Sequence, residues 1–387
     1  MLPPATALLP DRALLIAKAR REVIERAAGA EVAVRHIEPW ITRSWQRCLA
    51  AGQRPQQRVA FDAVGPALAR RTVDEHHDLA KAAQPVLDRL ARAIADTRYF
   101  AVLTDARGIV VDVRGVPANA ERAAIDIARV GVDLSERAVG TTAIGAALAE
   151  LQPVWLHRGE HFFDDTSLYS CAGAPLFGPD GRCVGMLDLT GVNVVERPEL
   201  KHLAALSARS IENALVLRQP HALLVRLNWP GYGGHTDAEG LICLDADGQV
   251  SASNAVAREM LYPTGAMPAA PLHASDLFAM PWTLLWDAAH RTHHPEGAVL
   301  EVPLWSGLRL QARPQRRADR AEAPLAPSSP PRLREVETAL ILKAVDDARG
   351  NVAEAARRLG ISRATVYRKL ANGGRGTRGE RGGSKAR

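Results

Sequence analysis

Arg363 and Arg368 stand in the run Ile361 to Leu370, which is rich in hydrogen-bond donors and positive charge and holds no paired nucleophile and base. Two arginines on one helix suit recognition rather than turnover, because a guanidinium can make two parallel hydrogen bonds to a guanine edge in the major groove. Ser362 and Tyr367 are placed to add contacts beside them. Thr365, Lys369 and the backbone at Asn351 suit phosphate contacts, which set register without reading sequence.

Two helices must hold those groups. Asn351 is a good N-cap, and Val352, Ala355, Ala356 and Leu359 form an apolar stripe at helical spacing that stops at Gly360. Ala355 and Ala356 are small enough to let a second helix approach closely. Ile361 fills the corner, Ser362 caps the second helix, and Val366 and Leu370 point inward, leaving the donors outside. A preceding helix carries Leu333, Val336, Leu340 and Ala344 on one stripe and packs against the pair. A helical hairpin with a merely solvated basic face would not need cap, stop, small-residue contact and basic helix in this order.

The strings Gly-Asn, Ala-Ala-Arg, Leu-Gly-Ile-Ser-Arg and Tyr-Arg-Lys-Leu occur here in the order found in Fis-type regulators, and residues 332–372 resemble their all-α C-terminal helix-turn-helix domain. The resemblance implies double-stranded DNA as partner. Charge points the same way: Pro331 to Arg387 hold 14 Lys or Arg against 6 Asp or Glu, a net of +8 where the whole chain is +6. Residues 373–387, rich in Gly and Arg, are expected to be a disordered basic tail, either adding non-specific phosphate attraction or merely solubilising.

Composition bounds the other function classes. The chain has 387 residues, 47% hydrophobic and 24% charged, which is ordinary for two or three globular domains. No apolar run approaches membrane-spanning length, and the opening MLPPATALLP lacks the basic start of a secretory signal, so the expectation is a cytoplasmic protein without a membrane partner. Cys48, Cys171, Cys183 and Cys243 are scattered without zinc-type pairing. There is no Gly-x-Ser-x-Gly elbow, no paired-carboxylate motif and no cofactor signature, and the reading is a non-enzyme without catalytic residues, cofactor or metal.

Upstream, residues 1–74 read as an N-terminal helical region in which Ser44 and Cys48 suit packing better than catalysis. Residues 75–218 show a helix from Leu79 to Thr97, a hairpin turning at Asp105 to Gly108, a helical stretch through VGTTAIGAALAE, a strand at PVWLH and a second hairpin turning at Gly178 to Gly181. A long helix from Glu196 to Arg218 closes the unit. This order is that of a GAF-like α+β sensor domain, an antiparallel sheet with flanking helices. The strings SWQRC followed by Gly52, DLSERAVGTTAIGAAL, HRGEHF and CAGAPLFGPDGRCVGMLDLTG resemble the N-terminal sensor half of AcoR-type bacterial regulators.

By that resemblance Thr141, Thr142, His157, Glu160, His161 and Cys171 are the candidate lining of a pocket for a small-molecule effector. His157, Glu160 and His161 also admit a metal reading, yet HRGEH lacks the metalloprotease order in which Glu follows the first His. A helix cap or hydrogen-bonded loop explains them equally. Thr142 stands where related sequences carry Asn, so the resemblance names no ligand.

Residues 222–312 read as a smaller PAS-like α+β domain, in which GLICLDADGQVSASNAVAREML gives strand, Asp-Gly turn, strand and an Asn-capped helix. Its tryptophans suit packing, and the expectation is a degenerate spacer or dimerisation module. Residues 313–331, rich in Pro, Ala and charge, are expected to be a flexible linker.

AcoR-type regulators place an AAA+ ATPase between sensor and helix-turn-helix, and that engine needs a GxxxxGK[ST] phosphate loop. No such string occurs in this sequence. The expected function is a sequence-specific, effector-controlled transcriptional regulator acting without ATP hydrolysis, as a homodimer, by repression or by recruiting RNA polymerase. The runner-up is an architectural, Fis-like DNA-binding protein or an antagonist of a full-length AAA+ relative at a shared operator.

Overall fold

The computed structural model describes residues 12–25, 37–61, 63–231, 239–262, 272–291 and 299–316, and, further on, Val352, Ala356, Arg363 and Val366. The chain divides into two compact units, Met1–Ala318 and Asp319–Arg387.

The first unit opens with helix α1 (Arg12–Arg20), which passes into a π-helical turn (Arg21–Glu25), followed by α2 (Pro39–Ala50), α3 (Pro66–Glu75) and α4 (His77–Ile94). Then come strands β1 (Tyr99–Asp105) and β2 (Val110–Arg114), helices α5 (Arg122–Ile127), α6 (Glu136–Val139) and α7 (Ala143–Glu150), and strands β3 (Val154–His157), β4 (Tyr169–Phe177) and β5 (Cys183–Val192). Helix α8 (Leu200–Leu217) follows. The five strands form one antiparallel sheet in the order β2-β1-β5-β4-β3.

Side chains alternate across that sheet, so each strand feeds two cores. Leu187 and Leu189 of β5 face α4 and α8, where they bury against Leu87, Leu90, Ile94 and Ile211. Met186 and Val192 face the opposite side with Phe100, Val102, Ile144, Phe162 and Trp45. Cross-strand register sets Thr190 opposite Cys171 and Asp188 opposite Gly173. Residues 188 and 190 therefore share a face with Cys171, the face covered by α2 and α5 to α7.

A second antiparallel sheet follows, built from β6 (Leu223–Asn228), β7 (Gly240–Leu244), β8 (Val250–Ser253), β9 (Leu300–Pro303) and β10 (Arg309–Arg316) in the order β8-β7-β6-β10-β9. Helices α9 (Ala255–Leu261), α10 (Ala274–Leu277) and α11 (Thr283–Arg291) pack on it around Phe278 and Leu285. Asn254 caps α9, its Oδ1 accepting from the Ala257 amide at 2.8 Å. The β1–β2 and β7–β8 hairpins share one turn device. Asp105 Oδ1 accepts from the Arg107 and Ile109 amides at 2.9 and 2.8 Å, and Asp245 Oδ1 from Asp247 and Gln249 at 2.9 Å each.

The two sheets meet through α8, where Val216 buries against Leu224, Leu241, Cys243 and Ala252. The Ser253 amide also donates to the Pro179 carbonyl at the β4–β5 turn, 2.9 Å away.

Two expectations are corrected. The closing helix begins at Leu200 rather than Glu196, because Arg197 precedes Pro198 and a pre-proline residue is driven out of helical geometry. The stretch expected to be linker from residue 313 begins as strand, since β10 continues to Arg316 against Leu223 to Val225 of β6. Pro314 lies beyond Arg309 to Ala312, the stretch that pairs with β9, so only β6 flanks it. Strand β6 was not foreseen, whereas α3 falls, but for its last residue, within the N-terminal helical region expected over residues 1–74.

In the C-terminal unit Val352, Ala356, Arg363 and Val366 are helical; Ala356 and Val366 are buried and Arg363 is exposed. Residues 373–387 and the helix expected from Leu333 to Val345 lie outside the described residues.

Candidate functional site

A cavity with a free volume of about 30 Å³ opens on the face of the first sheet away from α4 and α8. Phe61, Ile127, Leu134, Val139, Ile144 and Tyr169 supply its apolar wall, and Thr142, His161, Thr166, Cys171, Asp188 and Thr190 its polar groups. The sheet contributes Cys171 from β4 and Asp188 and Thr190 from β5, while Thr142 begins α7. His161 is carried by the loop that leaves a 3-10 turn (Arg158–Glu160).

Each polar group in the wall is held by its neighbours. Thr142 Oγ1 caps α7 by accepting from the Gly145 amide at 3.2 Å. Thr166 donates to the Phe163 carbonyl at 2.9 Å and the Tyr169 hydroxyl to the Ala123 carbonyl at 3.0 Å. His161 is fully buried, with Nδ1 2.9 Å from the Arg158 carbonyl and Nε2 3.7 Å from Cys171 Sγ. A carbonyl accepts only from N–H, so the proton sits on Nδ1 and Nε2 offers a lone pair. Burial pulls the His161 pKa down to about 4 and pushes the Cys171 thiol well above its ordinary value. Both are neutral at physiological pH.

Asp188 is 1% exposed. Its Oδ2 accepts from the Thr190 hydroxyl, and its Oδ1 has no hydrogen-bond partner among the described residues. Burial pushes this carboxyl up to about 7 against the hydrogen bond from Thr190. The cavity thus combines apolar walls with one carboxylate oxygen that lacks a hydrogen-bond partner among the described residues.

Of the six pocket residues expected from the sequence, Thr142, His161 and Cys171 line this cavity. Thr141 is directed into the interface with α2, its Oγ1 2.7 Å from Ser44 Oγ and 3.6 Å from Cys48 Sγ. Ser44 in turn donates to Glu136 Oε2 at 2.6 Å, and Arg47 grips Glu136 at 2.7 and 2.9 Å. Burial pushes the Cys48 thiol up to about 11, in keeping with packing.

Glu160 and His157 form a cap. The Glu160 carboxylate accepts from the His157 amide at 2.7 Å and from Arg12 at 2.6 Å, and the Trp45 indole donates to the Glu160 carbonyl at 2.8 Å. His157 stacks on Trp155 with ring centroids 5.6 Å apart and lines a separate hollow beneath α1. No group of three or more metal-ligating side chains occurs among the described residues. Asp188, Thr190, Thr166, Tyr169 and Phe61 are among the lining residues that sequence reasoning missed, as are Ile127, Leu134, Val139 and Ile144. An acidic residue inside the apolar strand Met186-Leu187-Asp188-Leu189 was the available signal, since such a group is rarely buried without purpose.

For the DNA candidates, Arg363 is helical and exposed. Asn351, Ser362, Thr365, Tyr367, Arg368 and Lys369 lie outside the described residues.

Comparison with known proteins places this architecture among bacterial regulatory proteins. Residues 332–372 match the family described as "Bacterial regulatory protein, Fis family", and residues 17–213 match "MimR, N-terminal domain". The second match spans half of the chain, and the chain belongs to that family.

The acetoin dehydrogenase operon transcriptional activator AcoR of Bacillus subtilis (strain 168) is 28% identical over 229 residues, 57% of this chain and 36% of that protein. The acetoin catabolism regulatory protein of Cupriavidus necator is 30% identical over 57% of this chain and 34% of its own length. The propane 2-monooxygenase operon transcriptional activator MimR of Mycolicibacterium goodii is 33% identical over 181 residues, 46% of this chain and 30% of that protein. The chain therefore spans about a third of the length of these relatives. Among solved structures, the E. coli DhaR(N)-DhaL complex aligns with a TM-score of 0.43 at 16% identity, covering 72% of this chain and 100% of that one. Among the described residues no helix is long and apolar enough to cross a membrane.

Proposed function

We propose that the protein is a sequence-specific transcriptional regulator whose DNA affinity is set by a small molecule bound in the cavity beside Asp188, His161 and Cys171. The observation that carries this reading is that cavity, with its mixed apolar and polar wall, in a chain that also carries a Fis-family segment. On this reading the first sheet and its helices are a GAF-like sensor, residues 222–312 a PAS-like spacer, and Arg363 and Arg368 read base edges. Thr365, Lys369 and the Asn351 backbone contact phosphates, with Ser362 and Tyr367 beside the bases.

The reading takes the protein as a homodimer, with α4 and α8 contributing to the interface, so that two reading helices address half-sites about one helical turn apart. Effector binding shifts the populations of dimer geometries by no more than its differential affinity for them. It acts by repression or by recruiting RNA polymerase, without catalysing a reaction or hydrolysing ATP. Support for the last point is the lack of a GxxxxGK[ST] string in the sequence.

Footprinting on the neighbouring promoter tests the DNA half. Arg363→Ala and Arg368→Ala are each expected to cost about 1–3 kcal/mol at one base position and to relax selectivity there. Unchanged sequence selectivity in both variants would sink the base-reading role.

A further inference from the structure

Helix α1 turns one side toward the loop that follows β3. Ala13, Ile16, Ala17 and Arg20 recur at helical spacing and share a face. Ile16 approaches the loop so closely that a Cβ on Gly159 would lie 3.3 Å from its Cγ2. Ala13 and Ala17 are too short to close the space beside it. A hollow of about 270 Å³ opens there, bounded by these residues and by His157, Arg158 and Gly159, with Arg12 and Glu196 completing the lining. Its volume is roughly that of nine water molecules at about 30 Å³ each.

Of its three guanidiniums, two are committed to the fold. Arg12 is divided between Glu160 at 2.6 Å and Glu196 at 2.8 Å, and Arg20 pairs with Asp164 at 2.9 Å while holding the loop carbonyls. Arg158 is exposed, and its side chain makes no hydrogen bond or ion pair among the described residues. Its backbone, by contrast, is fixed. The φ of Arg158 is 48°, in the left-handed region that favours glycine, and its carbonyl accepts from the His161 amide at 3.0 Å and lies 2.9 Å from His161 Nδ1. Glycine would adopt that backbone with less strain, so an arginine there calls for a use of its side chain.

The charges around the hollow define what it can hold. One uncommitted guanidinium takes one carboxylate through two parallel hydrogen bonds. A dianion such as phosphate would bring a second negative charge toward Glu196, which already draws on Arg12. An ammonium would meet Arg158 as a like charge. His157, held below its ordinary pKa by burial and bonded through Nδ1 to Ser170 Oγ, adds no counter-charge at neutral pH. Ala13, Ile16 and Ala17 offer an apolar surface to the rest of the molecule.

We propose that the hollow beneath α1 is a second binding site, for a small organic monocarboxylate whose carboxylate pairs with Arg158 and whose apolar body lies against Ala13, Ile16 and Ala17. It shares no lining residue with the cavity beside Asp188 and does not depend on the effector reading of that cavity.

Ligand-observed NMR on the full chain tests the proposal with hexanoate, hexan-1-ol, hexylamine and inorganic phosphate. Hexanoate is expected to bind about ten-fold or more tighter than each of the other three. Arg158→Gly removes the guanidinium at a backbone position that glycine favours, and should weaken hexanoate about ten-fold or more. Ala17→Phe places a ring in the hollow and should abolish binding. Both substitutions fall on exposed residues, so neither removes a buried contact.

Hexan-1-ol, hexylamine or phosphate binding as tightly as hexanoate overturns the ligand class, and so does binding of none of the four. Hexanoate binding lost in Ala17→Phe yet unchanged in Arg158→Gly overturns the role of Arg158. Binding unchanged in Ala17→Phe overturns the site itself, whatever Arg158→Gly does.

Discussion

Asp188 and His161 share one cavity and titrate in opposite senses, which makes their contributions separable by pH. The Asp188 carboxyl moves from 3.8 to about 7 on folding, so between those values the native state holds a proton that the unfolded chain has released. Its burial therefore costs nothing below about pH 4 and progressively more as pH rises toward 7. His161 moves from 6.5 to about 4, so the unfolded chain takes up a proton in that interval while the native state does not. Its contribution is intact above about pH 6.5 and is lost as pH falls toward 4. Thermal melts across pH 5–8 should show Asp188→Asn gaining on wild type as pH rises, by at most about 1.4 kcal/mol per pH unit within the window. His161→Gln should gain on wild type as pH falls from 7 to 4, and parallel curves for either variant would contradict its assigned burial. Gly140 is a backbone case: its φ of 68° and a Cβ that would lie 2.8 Å from the Phe163 ring leave no room for a side chain. Gly140→Ala is expected to lower stability by about 1–3 kcal/mol in urea unfolding, without a change at any polar group.

At the level of elements, α1 and its π-helical extension act on the cavity without touching it. Arg20 donates to the carbonyls of Gly159 at 3.1 Å and Phe162 at 3.0 Å, also bonds the His161 carbonyl, and pairs with Asp164 at 2.9 Å. One guanidinium thus fixes the loop that carries His161. Helix α2 holds the same loop through Trp45, which is fully buried and bonded to the Glu160 carbonyl. Arg20→Ala should speed amide exchange in residues 158–166 by about ten-fold or more, while the β4–β5 ladder keeps its protection. Uniform exchange across the domain in that variant would contradict a local strap. The hairpins were legible at this scale because turn chemistry is local: Asp105 with Gly108, and Gly178 with Gly181, announce reversals over a few residues. The helix spanning VGTTAIGAALAE was equally plain, although Thr142 proved to be its cap. Strand β6 was missed because its apolar run Leu223 to Val225 is short and its partners, β7 and β10, lie on either side of it in the sheet but far apart along the chain.

Over the whole molecule, contacts divide the chain after Ala318. If the first unit folds by itself and DNA reading belongs to the second, a protein ending at Ala318 should keep the amide-exchange protection of the β4–β5 ladder and show no sequence-specific footprint. Loss of that protection in the truncation would mean that the first unit depends on the C-terminal one. The sensor reading also requires that the ligand change DNA affinity in the full chain, measured as a shift in operator titration with and without it. The sequence by itself determined what depends on neighbours along the chain: the helix-turn-helix pattern and its basic face, the hairpin turns and the strands they join, and resemblance to a family of bacterial regulators to which the chain proves to belong. Only the tertiary structure decided which polar groups meet. His157 and Glu160 belong to a cap and Thr141 to a helix interface, whereas Asp188 and Thr190 join His161 and Cys171 in the cavity. Strand register and the Arg20 and Trp45 contacts bring those groups together, and such contacts link residues far apart in sequence, where no local periodicity records them.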